Sequence, residues 1–375
     1  MTEVFLGNNP LDSPVLLADY TTLGLGGPAA RFVGADTEQG LIHAVQSADR
    51  VCEPVLLLGG GSNLVVADAG FPGTVVHVNT RGLTFVDAGD GAVGVTVAAG
   101  TDWDDVVAAT VAEGLAGLEP LSGIPGRAGA TPIQNVGAYG REVAEVITGV
   151  RVYDRQDGQI RIISNAGCRF SYRSSLFKGG GRDALISLPG PMAGEPRYVV
   201  LDVTFRLVRQ SLSAPVRYAE LASELGIEMG EQAAVGEVRA AVIKIRSRKG
   251  MVLNPGDPDT RSAGSFFTNP VISAEALAGV ERAAAARGAG PVPHYPAAGL
   301  VKVPAAWLIE HSGFAKGYGA PGPARVSSKH TLALVNAGDA TTADLLALAR
   351  QIVSGVQAAF GVTLTPEPIL IGVTL

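Results

Sequence analysis

The sequence has few cysteines, no long apolar run and no excess of basic residues. Its two cysteines, Cys52 and Cys168, stand too far apart for a metal or redox motif and are expected to be reduced thiols. No apolar run approaches the roughly eighteen residues that cross a bilayer. The first residues, MTEVFLGNNPLDS, lack the basic start and apolar core of a signal peptide, and the net charge of −6 argues against nucleic-acid binding. These absences predict a cytoplasmic protein with neither membrane nor nucleic acid as partner.

Glycine is unusually dense in two stretches. In Ser122–Gly140, SGIPGRAGATPIQNVGAYG, five of nineteen residues are glycine and three are alanine. The second stretch is LGGGSNLVV, at Leu58–Val66. Backbone without side chains lets peptide N–H groups approach a large anionic or planar ligand. Two such stretches predict a bulky phosphorylated cofactor.

LGGGSN differs from the glycine loop of dinucleotide-binding folds. That loop opens a helix, so that the helix N-terminus faces the pyrophosphate. Here Leu64, Val65 and Val66 follow, which is a strand pattern. The sequence therefore predicts a strand–turn–strand loop in which Ser62, Asn63 and the glycine N–H groups form an anion nest, with a tight hairpin as the alternative.

The longer glycine-dense stretch also carries rigid and polar residues. Pro125 and Pro132 stiffen its backbone, and Gln134, Asn135 and Tyr139 offer hydrogen bonds. A rigid, bare loop with amide groups suits the flat ring and polar edge of a flavin better than it suits a mobile phosphate lid. The alternative is a buried crossover between domains.

Periodicity along the chain predicts an α+β protein of two or three domains. Up to about residue 210 short strands dominate, among them ARFVGA, PVLLLG, TVVHVN and RYVVLDVTFRLV. Beyond it the pattern is more helical. The strongest predicted helix follows Thr341, which with Asp344 approximates a capping box, and ends at Gly361. The last residues, VTLTPEPILIGVTL, predict a strand that two prolines interrupt.

Three residues stand in unusual contexts, and each has a functional and a structural interpretation. Ser265 in AGSFFTNP is either a proton donor or a turn hydroxyl. Arg173 in FSYRSSLFK is either a carboxylate-binding guanidinium or a surface cation. Glu367 lies between Pro366 and Pro368, which keep it out of a regular central strand, so it is either a positioned carboxylate or part of an edge strand.

Six motifs in a fixed order give these residues a common context. GGGSN, IPGRAGATPIQNVGAYG, YRSSLFK, AGSFFTNP, PAAWLIEHSGFAKG and the terminal PE resemble the UDP-N-acetylenolpyruvoylglucosamine reductases of bacterial cell-wall synthesis, in particular the enterobacterial-type branch. They cover the chain from about Tyr20 to its end. The resemblance implies an α+β fold: a two-subdomain flavin fold of the vanillyl-alcohol-oxidase (PCMH) type plus a smaller α+β substrate-binding domain. The implied division is FAD-binding subdomains at 1–80 and 81–210, a substrate-binding domain at 211–362 and a C-terminal strand at 363–375.

The resemblance also implies an activity, cofactors and site residues. It implies a monomeric flavoenzyme that binds FAD non-covalently, takes electrons from NADPH and reduces UDP-N-acetylglucosamine enolpyruvate to UDP-N-acetylmuramate, with no metal. Ser265 is expected to protonate the double bond, Arg173 to hold the enolpyruvyl carboxylate and Glu367 to assist the proton transfer. The expected substrate contacts are Tyr172, Tyr218, Lys249, Asn269, Lys302 and His330. The expected FAD contacts are Leu58, Gly59, Gly60, Gly61, Ser62, Asn63, Leu64, Gly100, Ser122, Ile124, Pro125, Gly126, Gly129, Ala130, Gln134, Asn135, Gly137, Ala138 and Tyr139.

Some positions differ from the family pattern, and two rival functions stay open. His330 stands where the branch often has glutamine, Ser175 stands where aspartate is common, and the stretch 250–263 is longer than usual. The basic cluster KIRSRK, at 244–249, is either a solvated helix end or a site for an anionic molecule. The rival functions are another oxidase or dehydrogenase on the same flavin scaffold and a catalytically silent protein that binds a nucleotide sugar.

Overall fold

The computed structural model describes residues 14–178 and 195–375. The N-terminal segment MTEVFLGNNPLDS, on which the expectation of no signal peptide depends, lies outside the described residues. The chain forms two compact units. The first unit comprises Met1–Val15, Ala29–Gly60 and Phe71–Ser247, and the second comprises Leu16–Pro28, Gly61–Gly70 and Arg248–Leu375.

The secondary structure of the described residues is mixed, as the periodicity predicts. The helices are α1 (Glu38–Arg50), α2 (Trp103–Ala112), α3 (Ala219–Leu225), α4 (Val235–Arg248), α5 (Ala274–Ala286), α6 (Ala305–His311) and α7 (Thr342–Phe360). The strands are β1 (Ala29–Ala35), β2 (Val55–Leu58), β3 (Leu64–Val66), β4 (Phe71–Val78), β5 (Leu83–Asp87), β6 (Ala92–Ala98), β7 (Leu115–Ala116), β8 (Gly137–Ala138), β9 (Arg141–Glu142), β10 (Ile147–Asp154), β11 (Gln159–Ser164), β12 (Tyr198–Arg209), β13 (Ser262–Ser265), β14 (Val271–Ile272), β15 (Tyr295–Ala297), β16 (Leu300–Lys302), β17 (Ala324–Val326), β18 (Ala333–Asn336) and β19 (Ile369–Ile371).

The first unit contains a parallel sheet and an antiparallel sheet. The parallel sheet has the order β1-β4-β2, and α1 connects β1 to β2. The Thr37 hydroxyl caps α1 by accepting the Gly40 N–H at 3.1 Å, and the apolar face of the helix, with Leu41 and Val45, is buried. The antiparallel sheet has the order β11-β10-β12-β6-β5, and beside it the buried Trp103 of α2 donates from its indole N–H to the Leu121 carbonyl at 3.1 Å.

The second unit contains three small sheets and helices α5 to α7. The sheets have the orders β13-β18-β17, β14-β16-β15 and β19-β3. Helix α7 confirms the strongest sequence prediction, because Thr341 and Asp344 form the capping box and Gly361 ends the helix in the left-handed conformation. The apolar side of α7 is buried in the core that holds Phe266 and Phe267.

The structure differs in two details from what the sequence indicated. The residues after GGGSN do form a strand, but β3 pairs with β19 in parallel while β2 belongs to the sheet with β4, so LGGGSN is not a hairpin turn. The C-terminal strand is shorter than its apolar pattern and begins only at Ile369, after the second proline. Of the described residues, none form a helix long and apolar enough to span a membrane, and none form a cluster of three metal-ligating side chains.

Candidate active site

Ser265 stands at the end of a bulged strand in the second unit. The pairing of β13 with β18 shifts register between Ser262 and Ser265, and Gly264 within that bulge has a φ of +73°. A bulge of this kind re-aims the side chain that follows it. The next two side chains, Phe266 and Phe267, are fully buried with their rings 5.1 Å apart, so they anchor the strand end in the core. Ser265 is half-buried, and the packing of its two neighbours fixes the position of its backbone.

Glu367 lies beside this strand end although it is about a hundred residues away in sequence. Pro366 forms an isolated antiparallel bridge with Phe267, and the Glu367 N–H donates to the Phe266 carbonyl at 2.9 Å. The Asn63 carbonyl of GGGSN accepts the Ile369 N–H at 2.9 Å. The edge-strand interpretation is wrong for Glu367 itself, because the residue precedes β19. Ser265, Glu367 and Asn63, which the sequence connects only through the resemblance, are thus neighbours in the backbone of one unit.

Three other predicted substrate residues of the second unit, Asn269, Lys302 and Lys249, lie in loops or at a strand end. The Asn269 side-chain carbonyl accepts the Ala305 N–H at 2.9 Å and so caps α6, and Lys302 ends β16, where it pairs with Val271. Lys249 directly follows α4 and is half-buried.

His330 belongs to a turn that a buried carboxylate holds. The Ser327 hydroxyl accepts the N–H of His330 at 3.2 Å. Asp259, from the stretch that is longer than usual, accepts the Ser328 N–H at 3.1 Å and the Ser328 hydroxyl at 2.5 Å. Burial acts to raise the pKa of Asp259, but the hydrogen bonds from Ser328 and Ser327 and the charge of Lys329 outweigh it and hold the pKa below its usual range. The long stretch therefore supports the predicted substrate turn.

Arg173 belongs to the first unit and is held by the long glycine-dense loop. Its Nη2 donates to the Gly137 carbonyl at 2.8 Å and its Nη1 to the Asn135 carbonyl at 3.4 Å. Its guanidinium carbon lies 5.4 Å from the ring centroid of Tyr172, which is exposed. The surface-cation interpretation does not fit a guanidinium fixed in this way, and the arrangement presents a preoriented planar cation.

Two predicted cofactor residues of the same loop, Asn135 and Ser122, make hydrogen bonds that stabilise the conformation of the loop. Asn135 is buried, donates to the Glu142 carboxylate at 2.6 Å and to the Ser171 carbonyl at 3.1 Å, and accepts the Ala144 N–H at 3.2 Å. The side chain of Ser122 is buried as well, and its hydroxyl donates to the Glu119 carbonyl at 2.7 Å. Their side chains therefore shape the loop, and the cofactor contacts of the two residues stay predictions.

Tyr139 joins this loop to the predicted substrate residue Tyr218. The two rings meet edge to face with centroids 5.3 Å apart, and burial raises the pKa of Tyr139 to about 12. Arg246 of α4 shares a side-chain hydrogen bond with Tyr139, whereas the exposed Lys244 pairs with Glu224 at 2.6 Å. The residues of the basic cluster KIRSRK therefore have different roles. Lys244 is solvated, as the simpler interpretation holds, and Arg246 supports the glycine-dense loop.

The glycine-dense stretches meet each other within the first unit. A Cβ on Gly60 would stand 2.9 Å from the Cα of Gly126, and a Cβ on Gly59 would stand 3.3 Å from Cγ of Arg127. Here the missing side chains allow backbone to pack on backbone, which is a reason for glycine that the sequence argument did not contain.

Sequence reasoning missed a charged group at this meeting point. Arg127 pairs with Asp102, and Arg81 pairs with the same carboxylate at 2.6 Å. Burial first, and then the charges of Arg127 and Arg81, hold the pKa of His77 below its usual value. The signal was visible in the sequence, because Arg127 is the one long charged side chain in a loop that otherwise lacks them.

Comparisons with known proteins agree with this architecture. A family profile described as an FAD binding domain matches residues 29–164, and one described as the C-terminal domain of UDP-N-acetylenolpyruvoylglucosamine reductase matches residues 257–371. The UDP-N-acetylenolpyruvoylglucosamine reductase of Thermobifida fusca is 54% identical over 378 residues and 100% of both chains, and that of Streptomyces coelicolor is 53% identical over 97% of this chain and 90% of its own. The crystal structure of the Thermus caldophilus reductase is similar with a TM-score of 0.61 at 26% identity, over 96% of this chain and 98% of that one. The predicted flavin-binding α+β fold and the resemblance to the family, though not to its enterobacterial-type branch, are confirmed, and the chain belongs to the UDP-N-acetylenolpyruvoylglucosamine reductase family.

Proposed function

We propose that this protein reduces the enolpyruvyl double bond of UDP-N-acetylglucosamine enolpyruvate to give UDP-N-acetylmuramate, a precursor of peptidoglycan. FAD held by the first unit would supply the redox chemistry, with NADPH as the source of the hydride and the double bond as its acceptor. The observation that carries the proposal is the hydrogen bond from the Glu367 N–H to the Phe266 carbonyl, because it sets a carboxylate residue beside the residue that must supply a proton. A protein that only binds a nucleotide sugar has no need of that pair.

The catalytic roles follow from the chemistry of adding hydride and a proton across a conjugated double bond. Hydride addition leaves negative charge on the carbon next to the carboxylate, and the Ser265 hydroxyl protonates that carbon. Glu367 orients the serine and takes part in restoring its proton. The planar guanidinium of Arg173 binds the enolpyruvyl carboxylate and stabilises the charge that develops there.

The cofactor residues remain part of the proposal. The loops that contain Gly59, Gly60, Gly126 and Gly129 lie in the first unit, and the arginines beside them suit the charge of a dinucleotide. The buried Nε of Arg127 has no hydrogen-bond partner within the described residues 14–178 and 195–375, so the donor set fits an anionic cofactor.

Several finer assignments rest on the sequence with partial structural support. The enterobacterial-type branch rests on Tyr218, which lies exposed at the start of α3 against Tyr139. Substrate contacts by Lys249, Asn269, Lys302 and His330 stay predictions. So do NADPH as the preferred reductant, the monomeric state, the cytoplasmic location and the four-part domain division.

A turnover experiment tests the function. The purified protein is incubated with NADPH and the enolpyruvyl sugar nucleotide, and the product is identified by mass. We expect bound flavin that heat releases as FAD, and one NADPH consumed for each UDP-N-acetylmuramate formed. UDP-N-acetylglucosamine, which has no double bond, is the matched control and should give no product.

Each rival function predicts a different result in that experiment. A colourless protein that takes up no FAD would contradict the proposal outright. NADPH consumption driven by oxygen and independent of the sugar nucleotide would favour another flavin oxidase. Sugar-nucleotide binding without a single turnover would favour the silent binding protein.

A further inference from the structure

Three parallel strands of the first unit end at one edge of their sheet. Ala35 at the end of β1 pairs with Val78, and Leu58 at the end of β2 pairs with His77. In open sheets of parallel strands, ligands bind just beyond the carboxyl ends of the strands. The segments that follow these strands, including Gly59 and Gly60, are therefore placed where an open parallel sheet binds its ligand.

Two arginines lie at this edge. The aliphatic stem of Arg127 passes over Gly59, whose Cβ position lies 3.3 Å from the arginine Cγ. The Arg127 guanidinium pairs with Asp102, and its side chain is 15% exposed. Arg81, which follows β4, pairs with the same Asp102 at 2.6 Å and donates to the Asn79 side-chain carbonyl at 2.9 Å.

The two arginines of this group lie near two carboxylates, Asp102 and Asp36, and both pair with Asp102. Two guanidinium groups share the single carboxylate of Asp102, while the neighbouring Asp36 carboxylate accepts a hydrogen bond from Asn79 at 2.8 Å. Burial first, and then the charges of Arg127 and Arg81, lower the pKa of His77, while the charge of Asp36 acts to raise it. Arg127 Nε is in addition a buried donor without an acceptor among the described residues, which is an arrangement that a ligand oxygen completes.

We propose that Arg127 and Arg81 bind the diphosphate of the flavin dinucleotide, and that the Asp102 carboxylate competes with it for the two guanidinium groups. The inference rests on the proposed function, since it takes FAD as the cofactor. A planar guanidinium matches phosphate oxygens in a two-pronged geometry, and two of them match the two charges of a diphosphate. Backbone N–H groups of the glycine loops were the phosphate contacts that the sequence indicated, and the arginines add the charge that those groups lack.

Binding of two flavins to the apoprotein tests the inference without any measurement of activity. FAD and riboflavin are titrated into flavin-free protein and followed by flavin fluorescence at low and high salt. For Arg127→Gln we expect FAD binding to weaken about tenfold to a hundredfold, as for loss of a charge-assisted hydrogen bond. Riboflavin, which has no phosphate, should bind the variant as it binds the wild type, and added salt should shrink the difference for FAD.

Two further variants separate phosphate binding from a structural role. Asp102→Asn removes the competing carboxylate, and since Asp102 makes no capping hydrogen bond at the start of α2, we expect FAD to bind at least as tightly as to wild type. Arg197→Gln is the matched control, because Arg197 forms a similar partly buried pair with Asp154 at 2.6 Å in the same unit. It should leave FAD affinity unchanged.

Several results would overturn the inference. One is equal FAD affinity for Arg127→Gln and wild type, and another is equal weakening of FAD and riboflavin. A third is weakening by Asp102→Asn as large as that by Arg127→Gln, which would show that the ion pair serves the fold. Wild-type protein that binds neither flavin would instead contradict the proposed function itself, so the two failures are distinguishable.

Discussion

Replacing Gly264 by alanine should separate the orientation of Ser265 from the stability of the fold. Gly264 has a φ of +73° inside the bulge between Ser262 and Ser265, and a Cβ built there meets nothing within 4 Å. The cost of alanine is therefore backbone strain alone, because no neighbouring atom has to move. If the backbone instead relaxes out of the left-handed region, the bulge changes and the serine side chain is re-aimed.

The magnitudes differ for stability and for catalysis. An L-residue in the left-handed region costs about 1–2 kcal/mol, and the lower entropy of the unfolded alanine chain offsets part of it, so the free energy of unfolding should fall by about 1 kcal/mol. Misplacing a reacting group by an ångström costs on the order of a hundredfold in rate. We therefore expect reduction of the sugar nucleotide to slow about a hundredfold, measured by steady-state NADPH oxidation, while the free energy of urea unfolding falls by only about 1 kcal/mol.

Gly361 provides a matched control for this prediction. It has a φ of +71° at the end of α7, and a Cβ there also meets nothing within 4 Å. Gly361→Ala should lose the same stability and keep full activity. If Gly264→Ala is no less active than Gly361→Ala, the bulge does not position Ser265 and the reasoning is refuted.

Three other changes give direct predictions. Asp259→Asn should lower the free energy of urea unfolding by about 1–2 kcal/mol, because a buried carboxylate that accepts two Ser328 hydrogen bonds loses its charge. Since the folded pKa of Asp259 lies below the unfolded value of about 3.9, the wild-type advantage should be present above that pH and disappear as the pH falls through the folded pKa; an advantage that persists there would contradict this. Asn135→Ala removes three buried hydrogen bonds and should cost about 2–4 kcal/mol in the same assay, and a loss under 1 kcal/mol would count against a structural role. Arg173→Lys should raise the KM for the sugar nucleotide about tenfold with unchanged FAD affinity, and an unchanged KM would remove Arg173 from the carboxylate site.

The local elements were predictable because their signals are local. Thr341, Asp344 and Gly361 mark both ends of α7 within the sequence, and the apolar run after GGGSN indicated a strand, which excluded the common dinucleotide loop. The partner of that strand was not predictable. Pairing of β3 with β19 joins segments about three hundred residues apart, and no periodicity in either segment specifies the other.

The candidate site also has features that were predictable from the sequence and features that were not. The unusual contexts of Ser265, Arg173 and Glu367 were visible, but their roles came from a resemblance, because a serine or an arginine alone fits many environments. The Phe266–Glu367 backbone contact needed the structure, and so did the ion pairs at Arg127, since neither has a sequence spacing. Glycine was misread in part: Gly60 is bare because Gly126 packs against it, and that reason exists only in three dimensions.

The half-reactions of Ser265→Ala test the central claim most directly. Rapid mixing of the FAD-loaded variant with NADPH follows flavin reduction, and mixing of the reduced protein with the enolpyruvyl sugar nucleotide under nitrogen follows flavin reoxidation. If Ser265 supplies the proton, flavin reduction keeps its wild-type rate while reoxidation slows by about a hundredfold to ten-thousandfold, the usual contribution of a general acid. Reoxidation at the wild-type rate would contradict the account, and loss of both half-reactions together would show that the serine serves the fold instead.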